Sequence, residues 1–147
     1  MSSGDIVISV KPKFVERILT GEKAAELRRR APRIEPGCKV WIYTKAPEAM
    51  ITVRVTVDRI VTGSPAEIWC AHKRSLGVTR DEFDSYFAET DIACAILFSR
   101  VREIWPALPL SEIRAESKHF QPPQFFKRLH QGSPELRLFR SRPFRYR

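Results

Sequence analysis

The chain has 147 residues, 43% apolar and 29% charged, the length and balance of one folded soluble domain that needs no disulfide or metal staple to build a core. No apolar run approaches the ~18–20 residues of a membrane span, and Met1-Ser2-Ser3-Gly4 lacks the basic flank and apolar stretch of a secretory signal. The net charge is +9 and unevenly spread: residues 11–39 hold nine Lys/Arg against four Glu, residues 127–147 hold seven against one, and residues 40–126 nearly cancel with ten basic and eleven acidic side chains.

In chain order, the β-branched run Asp5 to Lys11 reads as a strand. Pro12 opens a short helix to Leu19 with Phe14, Val15, Ile18 and Leu19 on one face, and Gly21 ends it. Lys23 to Arg29 reads as a second strand, Pro36-Gly37 as a turn, Val40 to Tyr43 as a third strand and Ile51 to Val61 as a long fourth one. In the fourth, Ile51, Val53, Val55 and Val57 alternate with polar residues, the mark of a half-buried antiparallel strand. Ser64-Pro65-Ala66-Glu67 and Thr79-Arg80-Asp81-Glu82 are capping boxes that start two helices, the first running to about Lys73. Ile92 to Trp105 reads as a fifth strand long enough to bend, Ser111 to Ala115 as one helical turn, and Gln124 to Gln131 as a last helix entered through Pro122-Pro123. After Gly132-Ser133-Pro134 comes an Arg-rich segment expected to be mobile and to bury little. Five uneven strands with helices between them fit an α+β fold, a small β-barrel decorated by flanking helices. They do not fit a doubly wound parallel sheet.

Cys38, Cys70 and Cys94 form no CxxC pair, and His72, His119 and His130 have no ligand spacing. No metal and no cofactor is therefore expected, and a reducing cytoplasm is the expected compartment. There is no Walker loop, GxGxxG or GxSxG. Clustered positive charge points instead to a polyanion such as nucleic acid. Three constellations can carry binding. On a strand over residues 23–29, Glu26, Arg28 and Arg30 share one face, with a guanidinium to clamp a phosphate and a carboxylate to accept from a base amino group; a solvated face of weak ion pairs is the plainer reading. In Trp41-Ile42-Tyr43-Thr44-Lys45, Trp41 reads as core, while Tyr43 and Thr44 at a strand end are more open, and Tyr43 can stack a base. Gln124 sits where a helix N-terminus would attract anions.

Ser9 to Lys23 followed by Glu26-Leu27-Arg28-Arg29-Arg30 resembles the signature of the ASCH domain of the PUA-like superfamily. Val40 to Thr44, Gly63-Ser64-Pro65 with Trp69, Val78 to Phe87, Pro109 to Arg114 and Pro122 to Phe125 fit the same series. The resemblance spans about residues 5–130. It implies an ASCH domain over residues 1–131, a PUA-like barrel with helices flanking a cleft, and RNA binding linked to translation or transcription control. The family's G-x-K-x-x-E-x-R segment lines that cleft, which carries over to Lys23, Glu26 and Arg28. One ASCH branch deacetylates N4-acetylcytidine with a Lys, a Thr and a Glu. Lys23 matches the Lys, but Glu26 stands at the Thr and the Glu falls near Leu76. A ribonuclease role is seen for other members.

The expected function is therefore an RNA-binding module whose ligand contacts come from Lys11, Lys23, Glu26, Arg28, Arg30, Tyr43, Thr44 and Gln124, the positive side chains tracking phosphates and Tyr43 stacking a base. The alternative is a nucleoside- or RNA-processing enzyme with Lys23 and Glu26 as acid and base. A third reading is an interaction domain whose Arg-rich tail binds an acidic protein. The expected partner is RNA or a nucleotide-like ligand, with no membrane; the oligomeric state is not legible.

Overall fold

The computed structural model describes residues 4–145. The strands are β1 (Asp5–Val10), β2 (Ala25–Arg28), β3 (Lys39–Thr44), β4 (Met50–Gly63), β5 (Ala93–Pro109), β6 (Lys127–Leu129) and β7 (Phe144–Arg145). The helices are α1 (Pro12–Thr20), α2 (Pro65–Leu76), α3 (Arg80–Tyr86), α4 (Leu110–Glu116) and α5 (Pro134–Ser141). The start signals act as their chemistry requires. Pro12 and Pro65 occupy first-turn positions, and Ser64 and Thr79 each complete a capping box, with Glu67 and Glu82.

Among the described residues seven strands form one sheet, in the order β2-β5-β4-β3-β1-β6 with β7 on β5. β1 and β3 are parallel, and the other pairings are antiparallel. The sheet is not closed: its ends are β2 and β6, so the expected barrel is corrected to a bent, open sheet within an α+β fold. Register shifts at three points along the β4–β5 ladder supply the bend.

The core divides into three clusters. Ile6, Ile8, Val53, Val55 and Ile96 pack with Val15 and Ile18 of α1. Leu27, Ile68, Leu76, Phe83 and Phe87 pack β2 and β5 against α2 and α3. Trp41, Tyr43, Ile104, Phe120, Leu136 and Phe139 form the third. Trp41 is core, as its sequence context indicates, and its indole Nε1 donates to the buried Asp5 carboxylate at 2.8 Å.

Two further expectations are corrected. The segment after Pro122-Pro123 is not a helix: Lys127–Leu129 pairs antiparallel with Val7, Ile6 and Asp5 of β1. Phe125, Phe126 and Leu129 are spaced as a helical face would be, but the edge of β1 offers backbone partners that an isolated turn lacks. The Arg-rich segment does not bury little. Ser133 caps α5, and Leu136 and Phe139, three apart on one face, sit in the third cluster while Arg137 and Arg140 point outward. Arg140 then reaches back to Asp5 at 2.9 Å, so the charge that argued for a free tail becomes its anchor.

Phe139 is 0% exposed, so Phe139→Ala is expected to cost about 3–5 kcal/mol in urea unfolding. A free tail would show less than about 0.5 kcal/mol.

Candidate functional site

A cleft of about 710 Å³ opens between the end of β1, β2, the start of α1 and α3. Its floor is Ser9, Val10 and Lys11 from β1 and its exit, with Glu26 and Arg28 from β2. Lys13 and Phe14 form the α1 wall, Asp81, Glu82, Ser85 and Tyr86 the α3 wall, and Lys45 and Gln124 the rim. β2 brings Glu26 and Arg28 to one side because it is a strand, two residues apart, paired with Ile96 and Cys94.

Arg28 NH2 donates to the Ser9 carbonyl at 3.1 Å and lies 2.9 Å from Glu26 Oε2. Both side chains are largely buried. The Arg28 Nε is buried without a hydrogen-bond partner among the described residues, an arrangement that keeps a donor of the guanidinium fork uncommitted. Arg29 stacks on Tyr86 at 4.2 Å and donates to the Tyr86 carbonyl at 2.8 Å, tying β2 to α3.

The two helical walls are joined by one carboxylate. Glu82 accepts from Arg17 at 2.7 and 3.2 Å, from Lys13 at 3.1 Å and from the Thr79 backbone N–H at 2.8 Å. The hydrogen bond from Arg17, then that from the Thr79 amide, holds its carboxyl pKa well below the ordinary glutamate range.

Lys23 does not line the cleft. It is 2% exposed, and its ammonium donates to the Leu76 carbonyl at the end of α2 at 2.9 Å. Burial lowers its pKa from that of a free lysine. Gly77 follows with φ +64, and a Cβ there would come within 2.3 Å of the Lys23 Cβ. Both the backbone conformation and the close approach require glycine.

The structure thus brings Lys11, Glu26, Arg28 and Gln124 together at the cleft and leaves Lys23, Arg30, Tyr43 and Thr44 outside its lining. β2 ends at Arg28, so Arg30 leaves the shared face and stacks on Phe125 at 4.3 Å. Tyr43 is 5% exposed and packed in the third core cluster, where burial raises its hydroxyl pKa. It is not the open aromatic expected for base stacking. Thr44 is buried, 3.3 Å from Thr52 hydroxyl to hydroxyl. Gln124 lies in an exposed bend, since no helix begins there. Among the described residues no group of three or more His, Cys, Asp or Glu is placed to hold a metal, and no helix is long and apolar enough to cross a membrane.

Residues 5–131 match the model of a family described as a domain of unknown function, DUF365. The chain is also 30% identical over 120 residues to the ASCH domain-containing ribonuclease of Zymomonas mobilis, across 82% of this chain and 80% of that protein. The chain belongs to the ASCH domain family. The crystal structure of ASCH from Zymomonas mobilis matches with a TM-score of 0.88 at 26% identity, covering 95% of this chain and 96% of that one. The N-terminal domain of Staphylothermus marinus McrB shares the fold more distantly, with a TM-score of 0.52 at 8% identity and coverage of 97% and 96%.

In this ASCH domain several cleft residues are not among the contacts expected from the sequence: Lys13, Phe14, Lys45, Ser85 and Tyr86. Tyr86 carried the clearest signal, an aromatic on a capped helix otherwise rich in charge. Its neighbours came from elements whose approach to β2 no local pattern encodes.

Glu82→Gln is expected to lose about 1.5–3 kcal/mol at pH 7, because a carboxylate accepting charged hydrogen bonds is replaced by an amide. The folded pKa is depressed, so this contribution is full above the unfolded value and declines as pH falls toward the folded one. The gap to the wild type should narrow by about 1.4 kcal/mol per pH unit below about pH 4.3 in urea unfolding.

Proposed function

We propose that this ASCH domain binds single-stranded RNA in the α1–α3 cleft. The observation that carries this is the cleft's charge pattern. Its lining holds five cations, at Lys11, Lys13, Arg28, Arg29 and Lys45, against three carboxylates, at Glu26, Asp81 and Glu82. Internal pairing joins Lys13 to Glu82 and Arg28 to Glu26. Lys11 and Lys45 remain at the mouth for phosphates, and the Arg28–Glu26 pair lies deeper. Glu26 and Tyr86 line the cleft; Glu26 would accept from a base amino group, and the Tyr86 ring would meet the base. The name of the Zymomonas relative, a ribonuclease, supports RNA as the ligand class. Free thiols at Cys38, Cys70 and Cys94 fit a reducing cytoplasm.

A second reading, phosphodiester cleavage, is favoured by the same relative and by a carboxylate in the cleft. Glu26 would take the proton of a 2′-hydroxyl, the freed oxygen would attack the adjoining phosphorus, and the 5′-oxygen would leave with a proton from a cleft lysine. The products are a 2′,3′-cyclic phosphate and a 5′-hydroxyl. This assigns the chemistry to Glu26 without Lys23, whose ammonium is committed to α2.

Fluorescence anisotropy of a labelled oligocytidylate at two salt concentrations tests the binding. Three phosphate contacts predict a slope of log K on log salt of about −2, and Arg28→Ala should weaken binding about tenfold or more. A salt-insensitive interaction would exclude the cleft as a phosphate site. For the second reading, mass spectrometry of an RNA oligomer should show the cyclic phosphate with the wild type. Glu26→Gln should abolish that product while retaining binding; absence of product from the wild type reduces the function to binding alone.

A further inference from the structure

We infer a second contact for single-stranded nucleic acid at Trp105 and Arg145, on the far half of the strand whose near half supports the cleft. Trp105 is 52% exposed and Val101 39%, which makes them two of the three large apolar residues that the described surface leaves open. The Arg145 guanidinium lies over the Trp105 ring at 4.4 Å. An exposed indole backed by a guanidinium is a ready stacking platform, because the cation holds the ring in place and adds positive charge where a phosphate would follow the base.

The strand register puts this platform on the cleft side of the sheet. Glu26 pairs with Ile96, and Ile96 and Val55 face the same core cluster. Val55 pairs with Val101, and Glu103, two residues on, pairs with Arg145. Trp105, two further, alternates onto that face. From Ile96 to Trp105 is nine residues along β5, a contour of at most roughly 30 Å that the bend of the strand shortens. Arg100 and Arg102 alternate onto the opposite face, beside Thr56 and Arg54, while Glu103 shares the face of Trp105 and Arg145. The Arg145 cation over the ring suits a polyanion, and the flat ring selects one that carries bases over an acidic peptide. This second contact presupposes that RNA is what the cleft takes. A short oligomer would fill the cleft alone, and a longer one would reach Trp105 as well.

The experiment uses the full chain with labelled oligocytidylates of 4 and 15 nucleotides, read by fluorescence anisotropy. Trp105→Ala should weaken the 15-mer about fivefold or more, Arg145→Ala should act in the same direction, and Trp105→Phe should restore most of the loss, with the 4-mer unchanged throughout. An unchanged 15-mer affinity, or equal losses for both lengths, would overturn the inference. Polyglutamate displacing the 15-mer as well as unlabelled RNA does would overturn it in favour of an acidic protein partner. Failure of the cleft reading looks different: the wild type would bind the 15-mer in a Trp105-dependent way but not the 4-mer. Binding of neither oligomer would reject both.

Discussion

β4 and β5 pair from Met50↔Pro109 to Gly63↔Ala93, the longest ladder in the molecule, and every other part takes its position from it. A straight ladder of that length would be a flat ribbon with two exposed faces. The register shifts curl it, so that β3, β1 and β6 can follow on one side while β2 and β7 occupy separate stretches of the β5 edge. Helices then cover what the curl leaves open: α1 on one cluster, α2 and α3 on another, and α4 and α5 on the third.

The cleft exists because β2 is a short strand held at both its faces. Leu27 anchors it to the apolar cluster beneath α2 and α3, while Glu26 and Arg28 turn the other way and meet the exit of β1. Around that strand the polar contacts join walls. Lys23 ties it to the end of α2, Arg29 to the end of α3, and Glu82 ties α3 to α1. Glu82 therefore serves shape, and Arg28 joins β2 to the exit of β1 through the Ser9 carbonyl while pairing with Glu26, which leaves Lys11 and Lys45 in the cleft lining outside this lacing.

Much of this was legible in the sequence. The alternation in residues 51–57, both capping boxes, the Pro12 helix and the core role of Trp41 were readable because each rests on a local rule. Glu26 and Arg28 were readable as a pair because strand spacing puts them side by side. What stayed hidden depends on partners distant in the chain. Tyr43 looks like a strand end until Phe139 and Leu136 are seen to arrive from α5. Lys127–Leu129 looks helical until β1 offers its edge. Lys23 looks like a ligand until the end of α2 comes within reach of its ammonium. The Arg-rich segment was misjudged for its charge, although its Ser-Pro start and its Leu136–Phe139 spacing already had the form of a helix with one apolar face.

The bond between Asp5 and Arg140 spans 135 residues, and it sets an order of events during synthesis. β1 lies inside the sheet, yet one oxygen of the Asp5 carboxylate and the ring of Trp41 are covered by α5, a helix made long after β1 and β3. A nascent chain that has not yet released α5 holds a partly desolvated carboxylate without its cation and an aromatic cluster without its lid. Such a chain is an incomplete fold with sticky surface, and its final closure has to wait for the ribosome to deliver residues 134–141.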